Sequence, residues 1–212
     1  MKQIATLLLF LLFSGFCVAQ TPVLPLYNST KDVQGAYYKD LQQDFQRFVG
    51  EWKYQQGSTE LIVRIQIKEE QFIDYGDITF YRDFLVAEYR YDENGIEKIN
   101  TFSNLLTNHT NPYKYNMVGS IIIKPISTNP DVCSNCGPND VIVDGTFNEP
   151  NRQIDFLDPR IIFRHKVENG VEKIFFTLYA NGNVYVNENE GAAQNQFFSY
   201  TIPFGRYELI KQ

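Results

Sequence analysis

Apolar and polar residues alternate along most of the chain after residue 50. Leu61, Val63, Ile65 and Ile67, for example, lie two positions apart, and most of the residues between them are polar. A period of two predicts strands with one buried face. Similar patterns predict further strands near residues 52–54, 85–91, 96–102, 121–126, 141–147, 153–157, 161–167, 171–180 and 207–211.

Turn residues separate these strands, and helix-length segments do not. The turns are predicted at Gln56–Ser58, at Asp92–Gly95 with its Asn-Gly pair, and at Glu168–Gly170. The absence of long crossovers disfavours parallel pairing. We therefore predict an all-β fold, an antiparallel β-barrel of about 8–10 strands.

One segment has the spacing of a helix instead. Starting at Leu41, apolar residues between Asp40 and Val49 recur at i, i+4, i+7 and i+8, which is one helix face. Asp40 can cap the start, and Gly50 can end the helix. We expect a short N-terminal helix that closes one end of the barrel.

The N-terminal residues 1–19 are typical of a cleavable signal peptide. Lys2 precedes the apolar run Ile4–Phe16, which is too short to cross a ~30 Å hydrocarbon core. Cleavage is expected between Ala19 and Gln20. The alternative is a lipoprotein acylated at Cys17, although the bulky Phe16 departs from that pattern.

The cleavage site divides the chain. Residues 20–36, with two prolines, are predicted to be an extended lead or tether, and residues 37–212 a single barrel domain. Removal of 19 residues from 212 leaves 193. We expect an exported protein, periplasmic or secreted, or a membrane-anchored lipoprotein in the alternative case.

Charge and hydropathy limit the partners. The formal net charge is −6, and loss of Lys2 makes it −7. Nucleic acids and anionic membrane surfaces attract basic faces, so neither is an expected partner. After signal removal no second apolar run reaches transmembrane length. We expect a monomer.

Gly50-x-Trp52 at the start of the first barrel strand and Arg206 on the last strand carry a resemblance to the lipocalin superfamily. That resemblance implies that Trp52 closes the barrel floor and that Arg206 packs over its indole ring. The physical basis is sound, since a guanidinium stacks well on an aromatic face. The alternative is that Trp52 is an ordinary core aromatic residue.

A second resemblance is carried by four longer segments, Tyr37–Asp40, Phe48–Tyr54, Cys133–Cys136 and Asp144–Arg152. Together they resemble a family of exported Bacteroidetes proteins, domain of unknown function 6705. The resemblance implies an envelope location and a β fold, and it implies no activity. Many members resemble lipoproteins, which supports the Cys17 alternative.

Cys133 and Cys136 form a Cys-x-x-Cys pair in a loop rich in Asn and Pro. In an exported protein such a pair is expected to form a disulfide. Zinc is the alternative and needs two more ligands, for which the chain offers only His109 and His165. Redox use is the other alternative and needs a helix N-terminus beside the thiols. We predict no metal and no cofactor.

The alternating strands predict a barrel interior lined by apolar groups and a few polar ones. Its candidate ligand-binding residues are Tyr54, Val63, Ile65, Tyr89, Tyr91 and His165. Such a lining suits a small apolar or amphipathic ligand, although side chains alone can fill an eight-stranded barrel. Common catalytic motifs are absent from the sequence. We therefore expect a non-enzymatic binder, or alternatively a structural or protein-interaction domain without a cavity.

Overall fold

The structure, a computed structural model of the chain, describes residues 21–27, 32–123, 136–137, 140–154, 157–182 and 199–212. The strands in these ranges are β1 (Val23–Pro25), β2 (Tyr37–Lys39), β3 (Gly50–Gln56), β4 (Thr59–Asp74), β5 (Thr79–Glu93), β6 (Ile96–Asn100), β7 (Met117–Ile123), β8 (Val141–Phe147), β9 (Leu157–Glu168), β10 (Val171–Gly182) and β11 (Gly205–Lys211). Three short 3₁₀ helices span Asp44–Phe48, Phe102–Leu106 and Pro112–Lys114. None of the helices in the described ranges has the length and apolar character needed to cross a membrane.

Eight strands close into an antiparallel barrel. Strands β3, β4 and β5 follow one another, β5 pairs with β7, and β7 to β11 continue in order until β11 pairs with β3. Strand β6 pairs with β5 outside this ring, and the short parallel strands β1 and β2 extend the sheet along β5. The predicted antiparallel barrel is confirmed, and its wall has eight strands.

The predicted hairpin turns are confirmed by their backbone angles. Asn94 and Gly95 have φ values of 55° and 72°, and Asn169 and Gly170 have φ values of 52° and 79°. Two consecutive left-handed residues form the type I′ turn, whose twist matches that of paired strands. These turns therefore fix the β5–β6 and β9–β10 registers.

The predicted helix between Asp40 and Val49 is wrong. The segment forms only the five-residue 3₁₀ helix Asp44–Phe48, because Gln43 adopts a left-handed conformation with φ 55° just before it. Phe45 and Phe48 are buried, as the tighter period of three requires, while Leu41 is 53% exposed. The carboxylate of Asp40 still accepts a hydrogen bond from the Phe45 N–H group at 2.7 Å.

Other predicted boundaries also change. The short strand predicted at 153–157 is wrong, because residues 151–154 lie outside any strand and β9 begins only at Leu157. Within the predicted lead 20–36, Val23–Pro25 forms β1 and pairs with β2. The sheet therefore starts before residue 37.

The junction between β5 and β7 is short, and β7 is packed closely against its other neighbour, β8. Only Leu85–Ala87 pair with Met117–Gly119. The close approach is on the other side of β7: a Cβ atom on Gly145 of β8 would lie 2.2 Å from the Val118 carbonyl oxygen of β7, and one on Gly119 of β7 would lie 2.4 Å from the Val143 side chain of β8. Only glycine permits this approach of two strands.

Residues 101–116 cover the outer face of the β5–β7 junction. The buried Glu88 carboxylate accepts hydrogen bonds from the Asn104 amide at 2.6 Å and from the Asn116 N–H group at 3.0 Å. The outward side chains Phe84 and Val86 are fully buried as a result. The β5–β7 junction thus has a second layer of structure behind it.

Residues 200–202 form a short segment that packs into the core beside the end of β8. Buried Glu149 accepts hydrogen bonds from the N–H group of Thr201 at 2.8 Å and from its hydroxyl at 2.6 Å. This places Tyr200 and Ile202 in the core, with the Tyr200 ring 5.4 Å from that of Phe147.

Candidate functional site

The barrel wall is incomplete between its first and last strands. Pairing of β3 with β11 is limited to Trp52 with Lys211 and Lys53 with Ile210, extended by a hydrogen bond from the Gln212 N–H group to the Glu51 carbonyl. Beyond Lys53, residues 54–56 and 205–209 have no register partners across the gap, although both strands continue. We call this gap the β3–β11 opening.

Each strand follows its other neighbour away from the opening. All seven residues of β3 pair with β4, which a two-residue turn at Gly57 and Ser58 joins to it. On the other side, β11 stays paired with β10 as far as Gly205. The local pairs are therefore complete, and the non-local pair ends early.

A groove of about 550 Å³ follows the opening. It is lined by Lys53, Tyr54, Gln55, Glu208, Ile210 and Gln212. The charged groups on its two sides are already paired: Lys53 with Glu60, and Glu208 with Lys173 at 2.5 Å. The hydrogen bond from Lys53 lowers the pKa of Glu60, and Arg90 acts in the same direction.

Two tyrosine rings close the opening on the lumen side. The rings of Tyr54 and Tyr207 meet edge to face at 5.1 Å. The Tyr207 hydroxyl donates to the Pro203 carbonyl at 2.6 Å, and burial raises its pKa. Behind it, the Phe176 ring is stacked at 5.8 Å. The groove and the barrel core are thus separated by one layer of aromatic side chains.

The predicted lumen residues share one face, as the alternation required. Trp52, Val63 and Tyr89 lie opposite one another across β3, β4 and β5. Tyr54 and Tyr91 both lie opposite Leu61 in the next row. The predicted residues Val63, Ile65, Tyr89 and Tyr91 are buried in the core, and Tyr54, packed against it, also lines the groove. Their role as ligand contacts stays a prediction.

Two buried polar atoms of the predicted set have no hydrogen-bond partner among the residues that the structure describes. They are the Tyr89 hydroxyl and Nε2 of His165. The His165 ring faces the edges of Phe48 and Trp52, with centroids 5.9 and 6.1 Å apart. Burial raises the pKa of Tyr89 and lowers that of His165, opposed for His165 by the Glu172 carboxylate. Both shifts favour the neutral form of the side chain.

The cation beside Trp52 differs from the predicted one. The Trp52 indole donates to the Phe48 carbonyl at 2.7 Å, and Nζ of Lys211 lies 5.4 Å from its ring centroid. Arg206 lies instead over Phe175 on the outer face, at 4.4 Å. Positions 206 and 211 differ by an odd number, so alternation sends their side chains to opposite faces of β11.

At Gly50, as the Gly-x-Trp motif requires, the backbone has φ 130°, which glycine adopts readily. A Cβ atom there would lie 3.8 Å from the Lys211 side chain. The cation next to Gly50 and Trp52 is therefore Lys211, and the barrel-closing role of the two residues stays a prediction.

The cysteine predictions fall largely outside the described residues. Cys17 and Cys133 both lie outside them, so the disulfide and the acylated cysteine stay predictions. Cys136 is half-buried, and its Sγ accepts from Nη1 of Arg164 at 4.0 Å. In the described ranges no group of three or more His, Cys, Asp or Glu side chains is placed to hold a metal ion.

Sequence reasoning missed Tyr207 and Glu208 as site residues. The sequence of β11 does show which of its residues face the core, because apolar and polar residues alternate along it. Tyr207 and Leu209 point inward, and Arg206 and Glu208 point outward. The early end of the β3–β11 ladder had no sequence signal, because register between strands more than 150 residues apart depends on the whole barrel.

Comparisons with known proteins locate the chain in one family. Neither the curated proteins nor the solved structures contain a match. A family model does match, over residues 1–212, and confirms the family resemblance seen in the sequence. The chain belongs to the family of unknown function DUF6705.

Proposed function

We propose that this protein is a non-enzymatic protein-interaction domain of the cell envelope that binds an extended segment of a partner along the β3–β11 opening. The observation that carries the proposal is the early end of the β3–β11 ladder beside a groove of about 550 Å³. Two strand edges face a space within the ~300–1,000 Å³ range of binding sites.

Backbone groups supply the affinity in this proposal. The Gln212 N–H group donates to Glu51, so odd-numbered residues of β3 direct their backbone groups toward β11. By alternation, the N–H and C=O groups of Gln55 and of Glu208 face the opening. An extended peptide can add to such edges through main-chain hydrogen bonds.

Side chains set the specificity. Lys53 and Glu208 line the two sides of the groove, and each is paired with a residue that does not line it, Glu60 or Lys173. A charged ligand therefore gains little there. Tyr54 and Ile210 offer apolar surface between them. The best match is a segment that alternates one apolar residue with uncharged polar residues.

Peptide selection combined with a proline substitution at the strand edge tests the proposal. Peptides selected from a random displayed library against the purified protein should protect the Gln55 and Glu208 amides from hydrogen exchange. Gln55→Pro removes an N–H group that faces the opening and should abolish binding with little loss of the β3–β4 ladder. The control Lys98→Pro on β6 should leave binding intact. Peptides that bind Gln55→Pro as well as the unmodified protein would rule out this edge.

The lumen carries a second candidate, a small amphipathic ligand. It is favoured by the unpartnered Tyr89 hydroxyl and His165 Nε2, since buried polar atoms normally have partners. Native mass spectrometry of protein isolated from its own cells should then find a bound molecule that Tyr89→Phe loses. Repeated isolation without any bound molecule would remove this candidate.

The envelope location belongs to the proposal as well. Its support is the signal-like residues 1–19. The mass of the mature protein tests it: an N-terminus at Gln20 means a free exported protein, and an acylated Cys17 means a membrane-anchored one. An intact Met1 in mature protein would contradict export.

A further inference from the structure

The β4–β5 hairpin extends beyond the barrel, because β3 pairs with β4 only as far as Ile65. At its tip three aromatic side chains lie in solvent. Phe72 is 50% exposed, Tyr75 54%, and Tyr113, from the segment that covers β5, 39%. Clustered exposed aromatic residues mark binding surfaces rather than ordinary surface.

Each of these rings is fixed by another ring behind it. The centroid distances are 5.5 Å for Phe72 with Tyr81, 5.6 Å for Tyr75 with Phe80 and 5.6 Å for Tyr113 with Phe84. The hydroxyls of Tyr75 and Tyr113 are also hydrogen-bonded at 3.2 Å. The exposed rings are therefore presented in fixed orientations, and a ligand need not order them on binding.

The rings enclose a cleft of about 200 Å³ together with Ile73, Asp74 and Asn111. We call this the aromatic cleft. One oxygen of Asp74 accepts from the Gly76 N–H group at 2.7 Å, which leaves the other as an acceptor. Asn111 accepts from the Tyr113 N–H group at 2.9 Å, which leaves its amide NH₂ group as a donor.

We propose that the aromatic cleft binds a neutral carbohydrate, one pyranose ring at a time. A pyranose has an apolar face of C–H groups and a rim of hydroxyls that donate and accept. Fixed tyrosine and phenylalanine rings match the face, and Asp74 and Asn111 match the rim. A cleft of about 200 Å³ lies below the usual ~300–1,000 Å³ of larger ligand sites, as a single ring requires.

The charge of the cleft disfavours the other ligands that aromatic residues attract. Asp74 lines it, Asp77 lies in the same turn, and the chain has a net charge of −6. Phosphate groups and anionic membranes are repelled by such a surface. A neutral sugar has no such penalty and uses the carboxylate as a hydrogen-bond acceptor.

Saturation-transfer NMR with single sugars tests this proposal. The probes are the methyl glycosides of glucose, galactose, mannose and N-acetylglucosamine. At least one should receive saturation at its ring C–H protons, and Tyr75→Ala and Phe72→Ala should each weaken its binding about tenfold or more by titration. Tyr75→Phe keeps the ring and should retain most of the binding. Phe204→Ala, which removes an exposed aromatic residue outside the cleft, should change nothing.

Three results would overturn it. The first is a panel in which no glycoside receives saturation. The second is binding that Phe204→Ala weakens as much as Tyr75→Ala does. The third is binding to phosphatidylcholine vesicles that Tyr75→Ala abolishes in the absence of any sugar binding. Circular dichroism melting of every variant checks its fold, and Tyr75→Leu or Phe72→Leu, which keep apolar bulk without an aromatic face, replaces an alanine variant that unfolds and should weaken binding in the same way.

Discussion

Two junctions close this barrel, and they are built in opposite ways. At β5–β7 the strands share three register pairs, and residues 101–116 cover the outside. At β3–β11 the strands share two register pairs, and the groove beside them is open. The short β5–β7 junction is thus covered by a second layer of structure. In the described part of the chain the short β3–β11 junction has no such layer, and its unpaired backbone groups are left available for a partner.

The largest expected effect displaces β7, one of the two strands of the backed junction, from its other neighbour, β8. In Gly145→Ala the new Cβ would lie 2.2 Å from the Val118 carbonyl oxygen, so two strands must move apart. Overpacking of this kind costs about 3 kcal/mol. Urea unfolding measures the loss. Gly137→Ala is the control, since its Cβ would meet only an ordinary contact at 3.7 Å; equal losses in both would mean that the glycine contact is not special.

The next effect removes the outer layer. Glu88→Ala leaves the buried N–H group and side-chain amide of Asn116 without their acceptor and removes one of the two acceptors of the Asn104 amide, at a cost of roughly 2–3 kcal/mol. Hydrogen exchange should rise across residues 101–116, and the β3–β11 side should change little. Glu69→Ala, an exposed carboxylate on β4, should change neither. If hydrogen exchange instead rose equally along the whole chain, the outer layer would not be stabilising the β5–β7 junction in particular.

A smaller effect depends on pH and concerns His165, whose ring packs against Trp52 of β3, at the β3–β11 junction. Burial lowers the pKa of His165 below its ordinary value of 6.5, so the unfolded chain binds more protons below that pH. Stability should therefore be greatest above about pH 6.5 and decrease as the pH falls toward the lowered pKa. His165→Asn should remove this part of the pH dependence in urea titrations. A variant with the same slope as the parent protein would show that His165 is not the group responsible.

The smallest effect separates two cations on β11. Lys211→Met removes the cation beside Trp52, and Arg206→Met removes the one over Phe175; each is worth about 0.5–1 kcal/mol. The chain has one tryptophan, so its fluorescence reports on that ring alone. We expect an emission shift in Lys211→Met and none in Arg206→Met. The reverse would restore the arrangement that the lipocalin resemblance implies.

The local part of this fold was predictable, and the reasons are physical. Asn94-Gly95 and Asn169-Gly170 favour left-handed pairs whatever surrounds them, so their hairpins follow from a few residues. Alternation likewise located the inner faces, since side chains in strands have a period of two. The same rule would have excluded Arg206 as the partner of Trp52 once the parity of β11 was counted.

The other features depend on distant parts of the chain. Phe45 and Phe48, spaced three apart, fit both an α-helix and a 3₁₀ helix, and the left-handed Gln43 decides between them. The β3–β11 opening depends on how the remaining strands stagger around the barrel. The aromatic cleft joins a hairpin tip to Tyr113, from a segment more than 30 residues later, and no local pattern links them.

The β3–β11 pair also determines when the barrel can be completed. Every other neighbouring pair in the wall is consecutive along the chain or separated only by β6, whereas Lys53 and Ile210 are 210 − 53 = 157 residues apart. Contacts of such separation form late, because the entropy of closing a long loop is lost before they contribute. An open meander therefore precedes the closed ring during synthesis. The barrel cannot close until Ile210 and Lys211 have been synthesised, because these two residues form the register pairs that join β11 to β3.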